Sequence, residues 1–255
     1  MTTNRLEGSL YTSIVNKVAT IEFGHPASNS FPSILLDRLT KELQKISKND
    51  EVSVVILKSE GERAFCAGAS FDELVAIDNF DDGKKFFSGF ANVINAMRSC
   101  SKIIIGSIQG KTVGGGVGLA AACDYALATE AASIKLSELT IGIGPFVIAP
   151  AVERKIGVTG LSELTLAATE WKNAYWAKEK GLFAKIFETQ NELKKETQNL
   201  AEKLASYNPE ALSELKKMLW KGTEQWDDLL IERAEISGKL VISDFTKKAL
   251  SKFKK

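Results

Sequence analysis

Histidine, cysteine and proline are scarce in this chain of 255 residues. It contains one histidine, three cysteines and five prolines. His25 is the only histidine, and no cysteines stand at metal-ligand spacing, so we expect no metal site. The odd set Cys66, Cys100 and Cys123 predicts reduced core thiols rather than a disulfide framework, and reduced thiols favour the cytoplasm.

An excess of one charge and a long apolar run are also missing. Lys and Arg number 33 against 32 Asp and Glu, which gives a formal net charge of +1. This balance predicts no general attraction to nucleic acid or to an anionic membrane surface. No apolar run reaches the ~20 residues of a membrane-spanning helix, and residues 1–10 lack the apolar region of a signal peptide. We therefore expect neither a nucleic-acid partner nor a membrane partner.

Hydrophobic patterning in the first half predicts an α/β core. Apolar residues make up 44% of the chain and charged residues 25%, which suits one globular domain with or without a small appendage. Continuous β-branched runs at 52–57 and 103–108 predict strands buried on both faces. Helical spacing of apolar residues predicts helices over 31–47 and 81–100. Strands that alternate with helices indicate an α/β fold.

The remaining elements follow from the same patterns. Short strands are predicted at 11–16, 18–23, 124–128, 133–136 and 183–187. Helices are predicted at 161–168, 173–180, 191–207, 209–220, 224–243 and 247–255. The chain thus becomes mainly helical after residue 160, and this helical part is expected to pack on the first half.

Three adjacent glycines, Gly114 to Gly116, are the most informative local feature. Ordering them is costly because glycine has more backbone freedom to lose than any other residue. Small residues follow them up to Cys123, which predicts a closely packed helix that offers bare peptide N–H groups to negative charge at its start. A second segment of this kind spans residues 64–72. Two such N–H sites together could form an oxyanion hole.

Two phosphate-binding alternatives stand beside this interpretation. Residues 106–112 resemble a Walker loop after a buried strand, but three residues separate the two glycines instead of four. A nucleotide-binding protein using Lys111 and Thr112 is therefore a hypothesis to test. Residues 116–121 fit a dinucleotide fingerprint with Glu138 as the distal acid, although a loop intervenes where that turn must be tight.

Taken together, the motifs resemble the crotonase (enoyl-CoA hydratase/isomerase) superfamily. They are residues 64–72, the triple glycine, Cys123-Asp124-Tyr125 and residues 137–143. The resemblance covers almost the whole chain and implies an α/β, ClpP-like spiral of ββα units with a C-terminal helical region used in trimerisation. It implies a core with the acyl-CoA site over residues 1–195 and the trimerisation region over 196–255.

The same resemblance implies the site residues. The backbone N–H groups of Ala69 and Gly115 would hold the thioester oxygen and stabilise an enolate. Glu138 would be the catalytic acid/base. The expected substrate-binding residues are Ala67, Gly68, Ser70, Phe71, Asp72, Gly116, Gly118, Leu139 and Phe146, with Leu74 and Phe90 as further walls of the acyl pocket.

Position 118 departs from the hydratase pattern. The hydratases of this superfamily place a second glutamate where this chain has Gly118, while the later glutamate is present as Glu138. Asp124 is a weaker candidate acid and is expected to cap a strand. Three functions therefore stay open: hydration of a 2-enoyl-CoA, short or branched such as methylglutaconyl-CoA; Δ3–Δ2 isomerisation by Glu138 alone; and acyl-CoA binding without catalysis.

The resemblance also implies the partners. An acyl-CoA substrate is expected, with coenzyme A as part of it and no separate cofactor. A homotrimer or a dimer of trimers is expected. Lys247, Lys248, Lys252, Lys254 and Lys255 form a basic cluster that either reaches the phosphates of coenzyme A or is a solvated helix face.

Overall fold

A β-hairpin opens the part of the chain that the computed structural model describes, residues 7–252. Strands β1 (Ser9–Val15) and β2 (Val18–Gly24) pair antiparallel, with Val15 opposite Val18. Asn16 and Lys17 connect them with φ angles of 51° and 63°. Two left-handed residues in a two-residue loop match the right-handed twist of the flanking strands. The hairpin predicted around residues 16 and 17 is confirmed.

Two sheets and a set of helices follow. The later strands are β3 (Val54–Ser59), β4 (Ala64–Cys66), β5 (Ile103–Ile108), β6 (Lys111–Val113), β7 (Tyr125–Thr129), β8 (Ser133–Lys135), β9 (Lys172–Asn173) and β10 (Lys185–Phe187). The helices are α1 (Ser33–Ser47), α2 (Phe71–Ala76), α3 (Phe80–Ser99), α4 (Gly115–Ala122), α5 (Ala149–Leu166), α6 (Ala174–Glu179), α7 (Gln190–Ala205), α8 (Pro209–Leu219), α9 (Trp226–Val241) and α10 (Asp244–Ser251). A 3-10 helix spans Glu138–Ile141.

From β3 to β8, consecutive strands alternate between the two sheets. The larger sheet has the order β1-β2-β3-β5-β7-β10, and the smaller has the order β4-β6-β8-β9. Each of the pairs β3/β4, β5/β6 and β7/β8 gives one strand to each sheet before a helical segment follows. The pairings from β2 to β10 in the larger sheet are parallel. This repetition is a spiral of ββα units, as predicted.

Both faces of the larger sheet are buried. Val54 and Ile56 on β3 pack with Leu193 and Ala201 of α7. Val55, the residue between them, belongs to the main core that includes α1 and α3. Because side chains alternate across a strand, a strand covered on both sides needs a continuous apolar run. The run at 52–57 was predicted to be such a strand.

A buried polar cluster joins the helical region to the core. The Asp124 carboxylate accepts hydrogen bonds from Lys216 Nζ (2.9 Å), Trp220 Nε1 (2.6 Å) and the Ile104 backbone N–H (2.7 Å). Both charged side chains are only 2% exposed. Asp124 therefore anchors α8 and β5 at the start of β7, and its oxygens are occupied by structural partners.

The expected division at residue 195 falls inside α7, which covers the larger sheet. Helix α9 packs against α3, so the C-terminal part contacts the core directly. The division into two regions stays a prediction. The apolar spacing in the sequence also failed to predict the first half of α5. Gly157, with a φ of 69°, interrupts the helical backbone, and the amphipathic spacing is interrupted with it.

Candidate active site

The loop between β4 and α2 forms the first wall of the candidate site. Gly68 has a φ of +91°, and a Cβ on it would lie 3.0 Å from the Val113 carbonyl oxygen and 3.5 Å from the Gly115 nitrogen. The loop is held by Phe31, whose N–H donates to the Gly68 oxygen and whose oxygen accepts from the Ser70 N–H, both at 2.8 Å. Glycine at 68 thus lets the loop lie directly against the triple glycine.

The triple glycine makes the turn from β6 into α4. Gly114 has a φ of +53°, which a side chain would strain, and its N–H donates to the Lys135 oxygen at 3.0 Å. Gly116 packs on Cys66, where a Cβ would lie 2.7 Å from the Cys66 Cβ. Gly115 is the first helical residue, so its N–H has no acceptor within the helix.

These two segments bring a pair of free backbone donors together. Among residues 7–252, no hydrogen bond uses the N–H of Ala69 or of Gly115. Both residues line the same cavity. The start of a helix also carries the positive end of the helix dipole, so this place favours an anion or a polarised carbonyl oxygen. Two free donors at one cavity are what the oxyanion-hole hypothesis requires, and the hypothesis stays a prediction.

Glu138 approaches the triple glycine from the opposite segment. It begins the 3-10 helix after β8, and a Cβ on Gly114 would lie 3.0 Å from Glu138 Oε1. Its Oε2 atom is buried and has no hydrogen-bond partner. Burial raises the pKa of the Glu138 carboxyl to about 7, against a smaller lowering by a hydrogen bond from its own backbone N–H. Near neutral pH it can therefore both accept and donate a proton.

A cavity of about 150 Å³ adjoins the two donors and Glu138. Its lining residues come from the loop before α2 and α2 itself, from α3, from β6 and the triple glycine, from the segment after β8 and, at Ser237, from α9. Among the described residues, 7–252, Glu138 is the only charged one in the lining. The apolar side chains in the lining are Phe71, Leu74, Phe86, Phe87, Phe90, Val113, Ile141, Ile143, Pro145, Phe146, Val147 and Ile148, with Ala67 and Ala69.

The structure brings seven of the predicted site residues into this lining. They are Ala67, Gly68, Ala69, Phe71, Gly115, Glu138 and Phe146, and the expected acyl walls Leu74 and Phe90 join them. The roles assigned to them remain predictions. Phe86 and Phe87 of α3 also line the cavity, although the sequence pattern did not identify them as walls of the acyl pocket. Phe86 could have been found, because it lies one helical turn before Phe90 on the same apolar face.

The other predicted binding residues lie outside the lining. Ser70 caps α2 by accepting from the Glu73 N–H, and Asp72 is exposed in the first turn of that helix. Gly116 is buried against Cys66. Leu139 is 44% exposed. Binding roles for these residues would require contact with the part of the ligand that projects from the cavity.

Gly118 also lies outside the lining, behind a hydrophobic side chain. A Cβ on Gly118 would lie 2.5 Å from Ile148 Cγ2, and Ile148 itself lines the cavity. An acidic side chain at position 118 would therefore overlap with Ile148. The structure places an apolar wall where the hydratase pattern has its second carboxylate.

Neither phosphate-loop alternative agrees with the structure. Residues 106–108 belong to β5 and Lys111 and Thr112 to β6, so only two residues connect the strands and no phosphate-binding loop forms. Gly110 is needed for close packing on the Arg63 backbone oxygen. In the dinucleotide alternative, Gly116 and Gly118 should form the turn before the helix, but both lie inside α4.

Two further expectations concern metal and membrane. Within residues 7–252, no group of three or more His, Cys, Asp or Glu side chains could hold a metal ion. In that same part of the chain, none of the helices combines the length and the apolar character needed to cross a bilayer.

The expected basic cluster is described only in part. Lys247, Lys248 and Lys252 lie in or next to α10, and Lys254 and Lys255 lie outside the described residues.

Solved structures share this two-sheet spiral. An enoyl-CoA hydratase from Bacillus halodurans superposes with a TM-score of 0.88, at 21% identity over 95% of this chain and 99% of the other. An enoyl-CoA hydratase from Bacillus anthracis superposes with a TM-score of 0.77, at 28% identity over 89% and 90% of the two chains. The fold is therefore that of the crotonase superfamily.

Sequence comparison narrows this class to a family. The model of the enoyl-CoA hydratase/isomerase family matches residues 13–253. A short-chain-enoyl-CoA hydratase from Clostridium acetobutylicum is 28% identical over 93% of this chain and 91% of its own. A peroxisomal Δ(3,5)-Δ(2,4)-dienoyl-CoA isomerase from Arabidopsis thaliana is 28% identical over 72% and 70%. The chain belongs to the enoyl-CoA hydratase/isomerase family and is an enzyme of this kind.

Proposed function

We propose that this enzyme moves a proton on the acyl group of a CoA thioester through an enolate, with Glu138 as the acid/base. The N–H groups of Ala69 and Gly115 would bind the thioester oxygen as negative charge develops on it. One such donor in a water-poor site contributes roughly 3 kcal/mol of transition-state stabilisation. The support is that two free donors and one buried, partly protonated carboxylate line a single cavity.

Double-bond isomerisation is the reaction that this geometry supports best. The observation that carries it is the contact of Ile148 with the position of a Cβ on Gly118, which leaves Glu138 as the only carboxylate that the described part of the chain gives to the lining. In the proposed reaction, ionised Glu138 removes a C2 proton from a 3-enoyl-CoA, and the electron pair forms a dienolate with its charge on the thioester oxygen. Glu138 then returns the proton to C4, which leaves a 2-enoyl-CoA. One base is sufficient because the same proton is taken and returned.

Hydration of a 2-enoyl-CoA is the second candidate. Its support is that the Clostridium acetobutylicum relative is named a short-chain-enoyl-CoA hydratase at 28% identity. Glu138 alone would then have to activate water and protonate C2 in turn. A dicarboxylic substrate such as methylglutaconyl-CoA fits the lining less well, because no lining residue between 7 and 252 carries a positive charge to pair with a second carboxylate.

The decisive experiment mixes the enzyme in D₂O with crotonyl-CoA in one sample and 3-hexenoyl-CoA in another, and follows products by mass spectrometry and NMR. We expect 3-hexenoyl-CoA to become the 2-enoyl isomer, with no water adduct from crotonyl-CoA. A water adduct that depends on Glu138 would instead establish hydration. Tight binding of both esters with no product from either would support the remaining hypothesis of acyl-CoA binding without catalysis.

The pH profile of isomerisation tests the role of Glu138 separately. The base must be ionised to remove the C2 proton, so activity is present above its pKa and is lost below it. Burial raises that pKa from an ordinary 4.5 to about 7. We therefore expect kcat/KM to fall about tenfold per pH unit below about 7, whereas an unperturbed glutamate would keep full activity down to about pH 5. A profile that is flat between pH 5 and pH 8 would contradict the assignment.

We also propose a homotrimer or a dimer of trimers in the cytoplasm, with no cofactor beyond the coenzyme A of the substrate. Exposed apolar side chains on α8, namely Leu215, Met218 and Leu219, support a subunit interface there. The three free and buried cysteines fit a reducing compartment. Light scattering measures the number of subunits directly.

A further inference from the structure

Ser237 contributes an unsatisfied hydroxyl to the wall of the cavity. The residue is 1% exposed, lies on α9 and lines the cavity. Its Oγ atom has no hydrogen-bond partner. Leaving a buried hydroxyl unpaired costs roughly 1–3 kcal/mol, so such groups are rare and call for an explanation.

Three other helical hydroxyls avoid that cost locally, whereas Thr197 on α7 is also buried without a partner but lies outside the lining of this cavity. Ser88 donates to the Lys84 oxygen, Ser99 to the Asn95 oxygen and Thr165 to the Leu161 oxygen, at 2.7 to 2.8 Å. In each case the acceptor lies four residues earlier in the same helix, the usual partner of a helical serine or threonine. Ser237 makes no such bond. Its hydroxyl remains free for a group that enters the cavity.

Helix α3 sets the distance between Ser237 and the thioester end of the site. The Phe90 ring packs where a Cβ on Gly115 would point. Two turns earlier, Gly83 packs on Gly238, where a Cβ would lie 3.0 Å from the Gly238 Cα. Seven residues of α-helix span about 10 Å. Gly238 and its neighbour Ser237 therefore meet α3 two turns away from the contact between Phe90 and Gly115, which supports a place for Ser237 toward the distal end of the acyl pocket.

We propose that Ser237 is a specificity-determining residue that hydrogen-bonds an uncharged oxygen, a hydroxyl or keto group, on the distal part of the acyl chain. This rests on the proposed acyl-CoA function. The oxygen is uncharged because, within residues 7–252, no Lys, Arg or His lines the cavity, so these residues would leave a second carboxylate buried without a counter-ion. A 10 Å span corresponds to roughly six to eight carbons, since C–C bonds of about 1.5 Å form a zigzag chain.

Access to Ser237 requires the cavity to widen. Its volume of about 150 Å³ is below the ~300 Å³ at which small-molecule pockets begin. Glu138 Oε2 is covered to the same degree as Ser237 Oγ. Phe87 and Phe146 are half-buried lining residues, so rotation of their rings is the movement that the proposal assigns to the widening.

The test measures binding of two unreactive esters, octanoyl-CoA and 8-hydroxyoctanoyl-CoA, by calorimetry. We expect Ser237→Ala to raise the Kd of the hydroxylated ester by roughly tenfold and to leave that of octanoyl-CoA within about twofold, as for loss of one hydrogen bond. Ser99→Ala is the matched control, since the Ser99 hydroxyl is exposed and bonded within α3. This control should change neither Kd.

Two results would overturn the proposal while the proposed function stands. One is an equal loss of affinity for both esters in Ser237→Ala, which would mean that the serine only packs. The other is no change for either ester while the wild type binds both. If the wild type binds neither C8 ester, the role of Ser237 is wrong as well, and binding of crotonyl-CoA then decides whether the proposed acyl-CoA function stands.

Discussion

Replacing Glu138 with glutamine is expected to lower turnover of the CoA ester by at least two orders of magnitude, with acyl-CoA binding close to that of the wild type. Proton transfer by a positioned side chain contributes roughly 10²- to 10⁴-fold, and a glutamine amide can neither accept nor return the proton at carbon. Glutamine has the size of a protonated glutamate. Since the Glu138 pKa is about 7, the folded protein already accommodates that neutral form.

The measurement combines steady-state kinetics with calorimetric binding of an unreactive acyl-CoA. Glu153→Gln is the matched control, because Glu153 is an exposed glutamate on α5 outside the cavity lining. It should change neither quantity by more than about twofold. Turnover within tenfold of wild type in Glu138→Gln would remove Glu138 from the mechanism. Equal losses of binding and turnover would assign it to substrate binding instead.

Replacing Asp124 with alanine is expected to lower the free energy of unfolding by about 3–5 kcal/mol, the cost of leaving one partner of a buried ion pair uncompensated. The ammonium of Lys216 would lose its carboxylate at a site that is 2% exposed. The Trp220 indole N–H and the Ile104 backbone N–H would lose the same acceptor. For a chain of this size we expect the melting temperature to fall by roughly 10 °C.

Urea unfolding at one fixed protein concentration measures this loss, because association of subunits would otherwise shift the midpoint. Asp37→Ala is the matched control: its ion pair with Lys41 is exposed, with 56% and 70% of the side chains accessible, so a change below about 1 kcal/mol is expected. The double variant Asp124→Leu/Lys216→Met should recover part of the loss, since it leaves no buried charge. A loss below about 1 kcal/mol in Asp124→Ala would show that water replaces the carboxylate at little cost.

Much of the fold could be predicted because its strands and helices have clear local patterns. The run at 103–108 became β5 without a shift, and the helix predicted at 81–100 became α3 one residue earlier at each end. The elements that were missed have weak local signals. Strands β4 and β6 are three residues long, too short to show a period, and they are ordered by pairing with each other.

For the candidate site, only the features of the backbone could be predicted from the sequence. Three glycines in a row indicate that main-chain segments approach each other closely. The structure shows close approaches at Gly68, Gly115 and Gly116. Short motifs also suffice to assign the family, since the family match extends over residues 13–253. Cys123 could not be judged from its spacing alone; burial raises its pKa to about 12, which makes it an inert core thiol.

The sequence by itself determined the order of the longer strands and helices and the glycine turn before α4, and it singled out Glu138 as the candidate acid/base. Only the tertiary structure decided that Ile148 fills the space beside Gly118, that Lys216 pairs with Asp124, and that Ser237 faces the same cavity as Glu138. Elements follow from contacts within a few residues, which a local pattern records. A cavity is closed by side chains from segments up to 170 residues apart along the chain, from Ala67 to Ser237. Their meeting depends on packing that no local pattern records.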